Sequence, residues 1–303
     1  SDGAELRRYH TDPLNPASYP WYLPACYDSF GSPADYDGDG RSDFSVYCAA
    51  DGTWYVFTCA GQFSRLTFGN DVTEPLLGDY DGDGATDFAV YYPAEGTWYV
   101  VTWQGELFVL PFGDYETVPV PADFDDDGKT DFALYYPKTG YWYIYTWRQQ
   151  FTAFQMGGSA MIPVPGDYDA DGRSDFAIYE PSTGFWYIYT WMGQFFMLQF
   201  GGPTTSPVPG DYDGDGKSDF AVFEPDTGYW YIFTWTGKFF AAPFGWSGVL
   251  PVPGDYDGDG RTDLAVYYPA AGYWYVYTWG DKGGNLSEGQ FGWSAATPII
   301  TGR

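Results

Sequence analysis

Hydrophobic residues along this chain come in short extended runs, not in helical spacing. From Pro207 to Leu250 the sequence reads PVPGDYDGDGKSDFAVFEPDTGYWYIFTWTGKFFAAPFGWSGVL, and Gly, Pro and Asp clusters cut it into four strand-length pieces. The pattern predicts strand A at Val208 to Asp211, strand B at Phe220 to Glu224, strand C at Tyr229 to Trp235 and strand D at Phe239 to Phe244. An Asp-rich loop joins A to B, Pro225 to Gly228 turns B into C, and Thr236-Gly237 turns C into D. Strand C is aromatic or β-branched at successive positions, so both of its faces are expected to be covered.

The same unit recurs every 44 residues, with Asp-rich loops beginning at Asp35, Asp79, Asp123, Asp167, Asp211 and Asp255. Trp54, Trp98, Trp142, Trp186, Trp230 and Trp274 keep that period. Four-stranded antiparallel sheets repeated around an axis make an all-β propeller, in which each blade covers the faces of its neighbours. Dividing 303 residues by 44 gives about 6.9, so seven blades is the preferred count. Phe291-Gly-Trp-Ser294 to Gly302 matches Phe244-Gly-Trp-Ser247 to Asp255, allowing a three-residue insertion near Lys282, and reads as a seventh strand A. The expected organisation is one domain, 1–303. Residues 27–297 hold six repeats, 298–303 are a closing strand, and 1–26, without a loop motif, supply outer strands for a composite last blade. Six blades with a covering N-terminal segment is the alternative.

Charge changes the picture. The formal net charge is −28, from 41 acidic against 13 basic residues, a field that disfavours nucleic acid and anionic bilayers as partners. Acidic chains are often disordered, but 22% aromatic and 45% hydrophobic content argues for a folded core. No apolar run reaches the roughly 18 to 20 residues that span a bilayer, so membrane insertion is not expected. The absence of a signal peptide at Ser1 fits a processed secreted protein or a trimmed chain.

Most of the acid sits in the loops, where carboxylates fall at positions 1, 3, 5 and 9. The sets are Asp35, Asp37, Asp39, Asp43; Asp79, Asp81, Asp83, Asp87; and Asp123, Asp125, Asp127, Asp131. They continue with Asp167, Asp169, Asp171, Asp175; Asp211, Asp213, Asp215, Asp219; and Asp255, Asp257, Asp259, Asp263. The backbone carbonyl at position 7 is expected to add a ligand from Arg41, Ala85, Lys129, Arg173, Lys217 and Arg261. Clustered hard oxygens drawn inward by a glycine at position 6 suit Ca²⁺, and about six ions per chain are expected. Asp and Gly also make ordinary turns, but a turn needs only one or two of them, whereas four carboxylates repel without a cation. An EF-hand would carry a bidentate Glu at position 12, where this chain has Val46, Val90, Leu134, Ile178, Val222 and Val266. The third loop has an extra acid, Asp126.

These loops, with Phe68-Gly69, Phe112-Gly113, Phe200-Gly201, Phe244-Gly245 and Phe291-Gly292, resemble the FG-GAP repeats of bacterial VCBS-type secreted proteins and the integrin α-subunit propeller. The likeness covers about 35 to 303 and departs at Met156-Gly157. It implies calcium in the loops, a secreted or cell-surface bacterial setting, and an interaction module with an extracellular glycan or protein ligand, or self-association.

The remaining chemistry is sparse. Cys26, Cys48 and Cys59 lie near the first blade; the start of strand A and the end of strand B share a blade end, making Cys26–Cys48 the candidate disulfide. His10 is the single histidine, which leaves histidine-dependent catalysis almost no material, and no catalytic residue is assigned. Glu180 and Glu224 stand outside the loops, where other blades have Tyr92, Tyr136 and Tyr268. Most aromatics belong to blade packing. Candidate ligand-binding indoles are Trp103, Trp147, Trp191, Trp235 and Trp279 at the end of strand C, with Trp246 and Trp293 after Phe-Gly. A calcium-stabilised, lectin-like adhesion module is the first functional expectation. A structural subunit of an extracellular assembly is the second, and a polysaccharide-degrading enzyme the third.

Overall fold

The computed structural model describes residues 34–279, 284–293 and 297–298. They form six four-stranded antiparallel sheets, each built in the order A-B-C-D. The fifth blade has strand A at Ser206–Pro207, B at Phe220–Glu224, C at Tyr229–Phe233 and D at Phe239–Pro243. Prolines at 207 and 209 have no N–H to give, so the ladder of strand A is thin. It persists through the Val208 N–H to the Ala221 carbonyl at 2.9 Å and the Asp219 N–H to the Gly210 carbonyl at 2.7 Å. Strand C ends two residues before the predicted Trp235. There the Thr234 N–H bonds the Lys238 carbonyl at 3.0 Å, and the Trp235 N–H turns to the Asp219 carboxylate.

The preferred count of seven blades is overturned in favour of six. The strand Thr297–Pro298 pairs with Phe44–Cys48 in the register Val46–Pro298 and Tyr47–Thr297. That copies the sixth blade, where Leu250 and Pro251 face Tyr267 and Val266. The C-terminal strand therefore completes the first blade and opens no seventh. Dividing length by period counts that strand toward an extra sheet, when it is the inner strand of the first. The proposed contribution of residues 1–26 lies outside the described residues, as does His10.

A hydrophobic cluster fills every blade interface, and the last one closes the ring by packing Val46 and Tyr55 of the first blade with Tyr256 and Trp274 of the sixth. Strand B is buried on both faces, as in Phe220–Phe223. In the fifth blade strand C instead alternates, with Trp230 and Ile232 fully buried and Tyr229, Tyr231 and Phe233 half-covered or exposed, whereas in the first blade Thr53–Val56 are buried throughout, so the expected coverage of both faces holds only in part. Each buried indole donates to a carbonyl of the Phe-Gly element, as from Trp186 Nε1 to the Phe200 oxygen at 2.8 Å. Met156 accepts from Trp142 in the same way, which is why the departure from Phe costs the blade nothing in hydrogen bonding. The following glycine has no substitute: Gly201 has φ 110°, and a Cβ there would lie 2.5 Å from Tyr179 Oη. Inner strands surround a channel of about 840 Å³ lined by Val120, Val164, Val208 and the loop starts.

Candidate metal centres and aromatic surface

Each loop folds around its first aspartate. Asp211 Oδ1 accepts from the N–H groups of Gly214 at 2.7 Å and Asp215 at 3.1 Å, and Oδ2 accepts from Gly216 at 2.8 Å. Gly216, at position 6, has φ 85°, a left-handed turn that brings the chain back on itself. The ninth residue closes the loop from below: Asp219 Oδ2 accepts from the Tyr212 N–H at 3.0 Å and Oδ1 from the Trp235 N–H at 3.2 Å. Asp87, Asp131, Asp175, Asp219 and Asp263 are wholly buried, and Asp43 nearly so.

The result is convergence of carboxylates. Ligand oxygens of Asp35, Asp37 and Asp39 lie within 4.8 Å of one another, as do those of Asp79, Asp81 and Asp87, and of Asp123, Asp125 and Asp127. The same holds for Asp167, Asp169 and Asp175, and for Asp211, Asp213 and Asp219. Oxygens each about 2.3 to 2.6 Å from one ion can be no more than about 5 Å apart, so this spacing admits Ca²⁺. Both carboxylate oxygens of Asp37, Asp125 and Asp169, and Oδ1 of Asp87 and Asp213, are shut from solvent without a hydrogen-bond partner. Such orphaned acceptors are costly. Burial also pushes the carboxyls of Asp43, Asp87, Asp131, Asp175, Asp219 and Asp263 up to about 7. An acid raised in this way costs stability progressively above its unfolded value, so in the metal-free state these groups oppose folding at neutral pH. A hard cation removes both penalties, and the donor set fits one.

The loops are also joined to each other. The N–H at position 8 donates to the position-1 carbonyl of the preceding loop, at 2.6 Å for Thr86 to Asp35, Thr130 to Asp79, Ser218 to Asp167 and Thr262 to Asp211. Ser174 to Asp123 at 2.7 Å and Ser42 to Asp255 at 2.6 Å complete a belt around the ring. Sequence reading missed this role of position 8, although the periodic Ser or Thr was visible.

The strand-C indoles serve the same belt. Nε1 of Trp103, Trp147, Trp191, Trp235 and Trp279 donates to the position-8 carbonyl of its own loop at 2.8 to 2.9 Å. The rings of Trp103, Trp147, Trp235 and Trp279 pack edge-on against the preceding blade, as Trp235 does with Phe196 at 5.1 Å. In the first blade Cys59 makes the equivalent contact, from Sγ to the Ser42 carbonyl at 3.2 Å. Cys59 is a free thiol and Cys48 is disulfide-bonded. Cys26 lies outside the described residues.

Trp246 is more open, 39% exposed, with its ring edge-on to Tyr268 at 5.5 Å and Tyr275 at 5.1 Å. Trp293, half-buried, meets Tyr55 at 5.1 Å. Glu180 and Glu224 are occupied locally, accepting from Thr183 Oγ1 at 2.7 Å and Thr227 Oγ1 at 2.6 Å. Outer strands present Phe63, Leu107, Phe151, Phe195, Phe239 and Leu286 to solvent, one from each blade. Among the described residues no helix is long and apolar enough to cross a membrane.

Among curated proteins, none matches this sequence. Solved structures match its fold. A streptogramin B lyase is 12% identical with a TM-score of 0.55, covering 88% of this chain and 85% of that one. A catalytically inactive H270A virginiamycin B lyase from Staphylococcus aureus, with quinupristin, is 10% identical with a TM-score of 0.54, covering 87% and 86%. An Agrocybe aegerita lectin, described for specific recognition of non-reducing terminal N-acetylglucosamine, is 17% identical with a TM-score of 0.55, covering 88% and 77%. The FG-GAP-like repeat matches residues 123–178, 167–222 and 211–266, and the FG-GAP repeat matches 72–110. With six blades that each carry the loop and the glycine those repeats are built on, the chain belongs to the FG-GAP-type β-propeller repeat family.

Proposed function

We propose that this propeller is a non-catalytic binding module that acts outside the cell, is held rigid by calcium in its six loops, and takes glycans as ligands. The observation that carries the calcium reading is the orphaned, solvent-excluded carboxylate oxygens of Asp37, Asp87, Asp169 and Asp213, each pointing to a need that the surrounding protein does not meet. The position-1, -3, -5 and -9 aspartates would hold the ion, which supplies the positive charge the loop lacks. Metal in the loops has a mechanical consequence, because the same residues carry the hydrogen-bonded belt that ties blade to blade.

Repetition supports the binding reading. Equivalent weak sites on successive blades gain avidity when a ligand is itself repetitive, as polysaccharides are. Exposed Trp246 beside Tyr268 and Tyr275 offers the flat aromatic face that sugar rings pack against. The Agrocybe aegerita lectin lends support only at the level of a shared fold. A glycan array probed with the calcium-loaded chain is expected to show binding that Trp246→Ala weakens. Failure to bind any glycan sinks the lectin reading.

One observation favours a second reading, a subunit of an extracellular assembly. The outer strands expose a large apolar residue at the same place in every blade, from Phe63 to Leu286. Ordered filaments or sheets in electron micrographs at millimolar calcium would select it.

A further inference from the structure

The six loops differ in what lies over the position-3 carboxylate. The residue that follows the strand-C Trp or Cys is Ala60, Gln104, Arg148, Met192 and Thr236 in the first five blades. In the third blade Arg148 reaches back into its own loop. Its Nη1 donates to the Asp125 carbonyl at 2.7 Å and lies 3.1 Å from Asp125 Oδ1, while Nε is 4.0 Å from Asp127 Oδ2. Asp125 and Asp127 belong to the oxygen trio that would hold the ion, and Asp125 is buried. The oxygens of Asp125, like those of the matching Asp37 and Asp169 in the first and fourth loops, accept no hydrogen bond, so what sets the third loop apart is the charge of Arg148 held beside it by the bond to the Asp125 carbonyl. The fifth loop is intermediate: Thr236 Oγ1 donates to Asp213 Oδ2 at 2.7 Å and Lys238 Nζ stands at 3.5 Å, yet Oδ1 stays unpartnered.

We propose that Arg148 is a tethered counter-cation that competes with calcium for the third loop, so that the six loops are not equivalent and this one is the weakest. The proposal rests on the calcium reading above. A guanidinium keeps its charge at every accessible pH, and its planar donors match a carboxylate, so it neutralises the loop where a lysine would be hydrated away. The third loop needs it most, because Asp126 adds a fifth acid there. Calcium entering this site has to release the Arg148 contacts and then share the site's surroundings with a permanent positive charge. A partly exposed pair of this kind weakens the competing ion by about tenfold.

Calorimetric titration of the demetallated full chain with calcium chloride tests the proposal, with equilibrium dialysis counting the ions bound. For the native sequence the isotherm is expected to contain a site about tenfold weaker than the rest. Arg148→Ala and Arg148→Gln should move that site into the tight class, and Arg148→Lys, whose ammonium is hydrated away from the loop, should move it part of the way. Identical isotherms for native protein, Arg148→Ala and Arg148→Gln, with every site equivalent, would overturn the proposal and leave the calcium reading intact. No calcium bound by any of the chains would overturn both.

Discussion

At the scale of single residues, the convergence of the loop carboxylates was legible in the sequence because its cause is local: alternate aspartates on a glycine-tightened nine-residue loop bring their oxygens within 4.8 Å of one another. The glycine of the Phe-Gly element was visible as a repeat but not as a constraint. Its reason is tertiary, the approach of Tyr179 Oη to where a Cβ would stand at Gly201. Gly201→Ala is expected to lower stability by about 1 to 3 kcal/mol, read as a shift in denaturant midpoint. An unchanged midpoint would mean that the close approach is not maintained in solution. The strand-C tryptophans were the least legible residues. An exposed sugar platform and a structural donor have the same sequence signature, and only the bond from Trp235 Nε1 to the Ser218 carbonyl at 2.9 Å tells them apart. Trp235→Phe keeps most of the packing and removes that bond, so it should cost about 0.5 to 1.5 kcal/mol in the calcium-loaded protein.

At the scale of strands and loops, punctuation by Gly and Pro marked strands B and D to within a residue, while strand A, expected at Val208 to Asp211, lies just before that range at Ser206–Pro207 and strand C ends two residues early at Phe233. In strand A the prolines at 207 and 209 thin the ladder; strand C ends for another reason. Strand ends are set by where the next N–H finds its acceptor, and at Trp235 that acceptor is Asp219, sixteen residues back in the loop. The loop is thus part of the sheet's hydrogen bonding as well as a candidate metal cradle. A consequence can be measured by hydrogen exchange: the amides of Thr86, Thr130, Ser174, Ser218 and Thr262, bonded across blade boundaries, should be protected with calcium and lose protection in excess chelator. Strand-B amides such as Val222, paired within the blade, should respond less. Equal loss at both places would show that the belt has no separate dependence on the loops.

For the whole molecule, the 44-residue period revealed the propeller but not its blade number. Among the described residues, ring closure joins the last strand to the first hairpin, a long-range pairing to which no local pattern points. The register of Thr297–Pro298 on Val46 and Tyr47 decides for six. That closure is held by few backbone bonds, by the cluster of Val46, Tyr55, Tyr256 and Trp274, and by the Ser42 to Asp255 link of the belt. Asp263→Asn, in the loop that borders the closure, is expected to reduce bound calcium by one ion and to lower the melting temperature more than Asp175→Asn.

Thermal unfolding with and without calcium bears most directly on the claim that the loops bind ions that hold the ring together. Each ion bound only by the native state adds about 2.7 kcal/mol at a hundredfold excess over its dissociation constant, and the loops act on one cooperative ring. The melting temperature is expected to fall by at least about 10 °C when millimolar calcium is replaced by excess chelator. A melt that is the same in both conditions would contradict it.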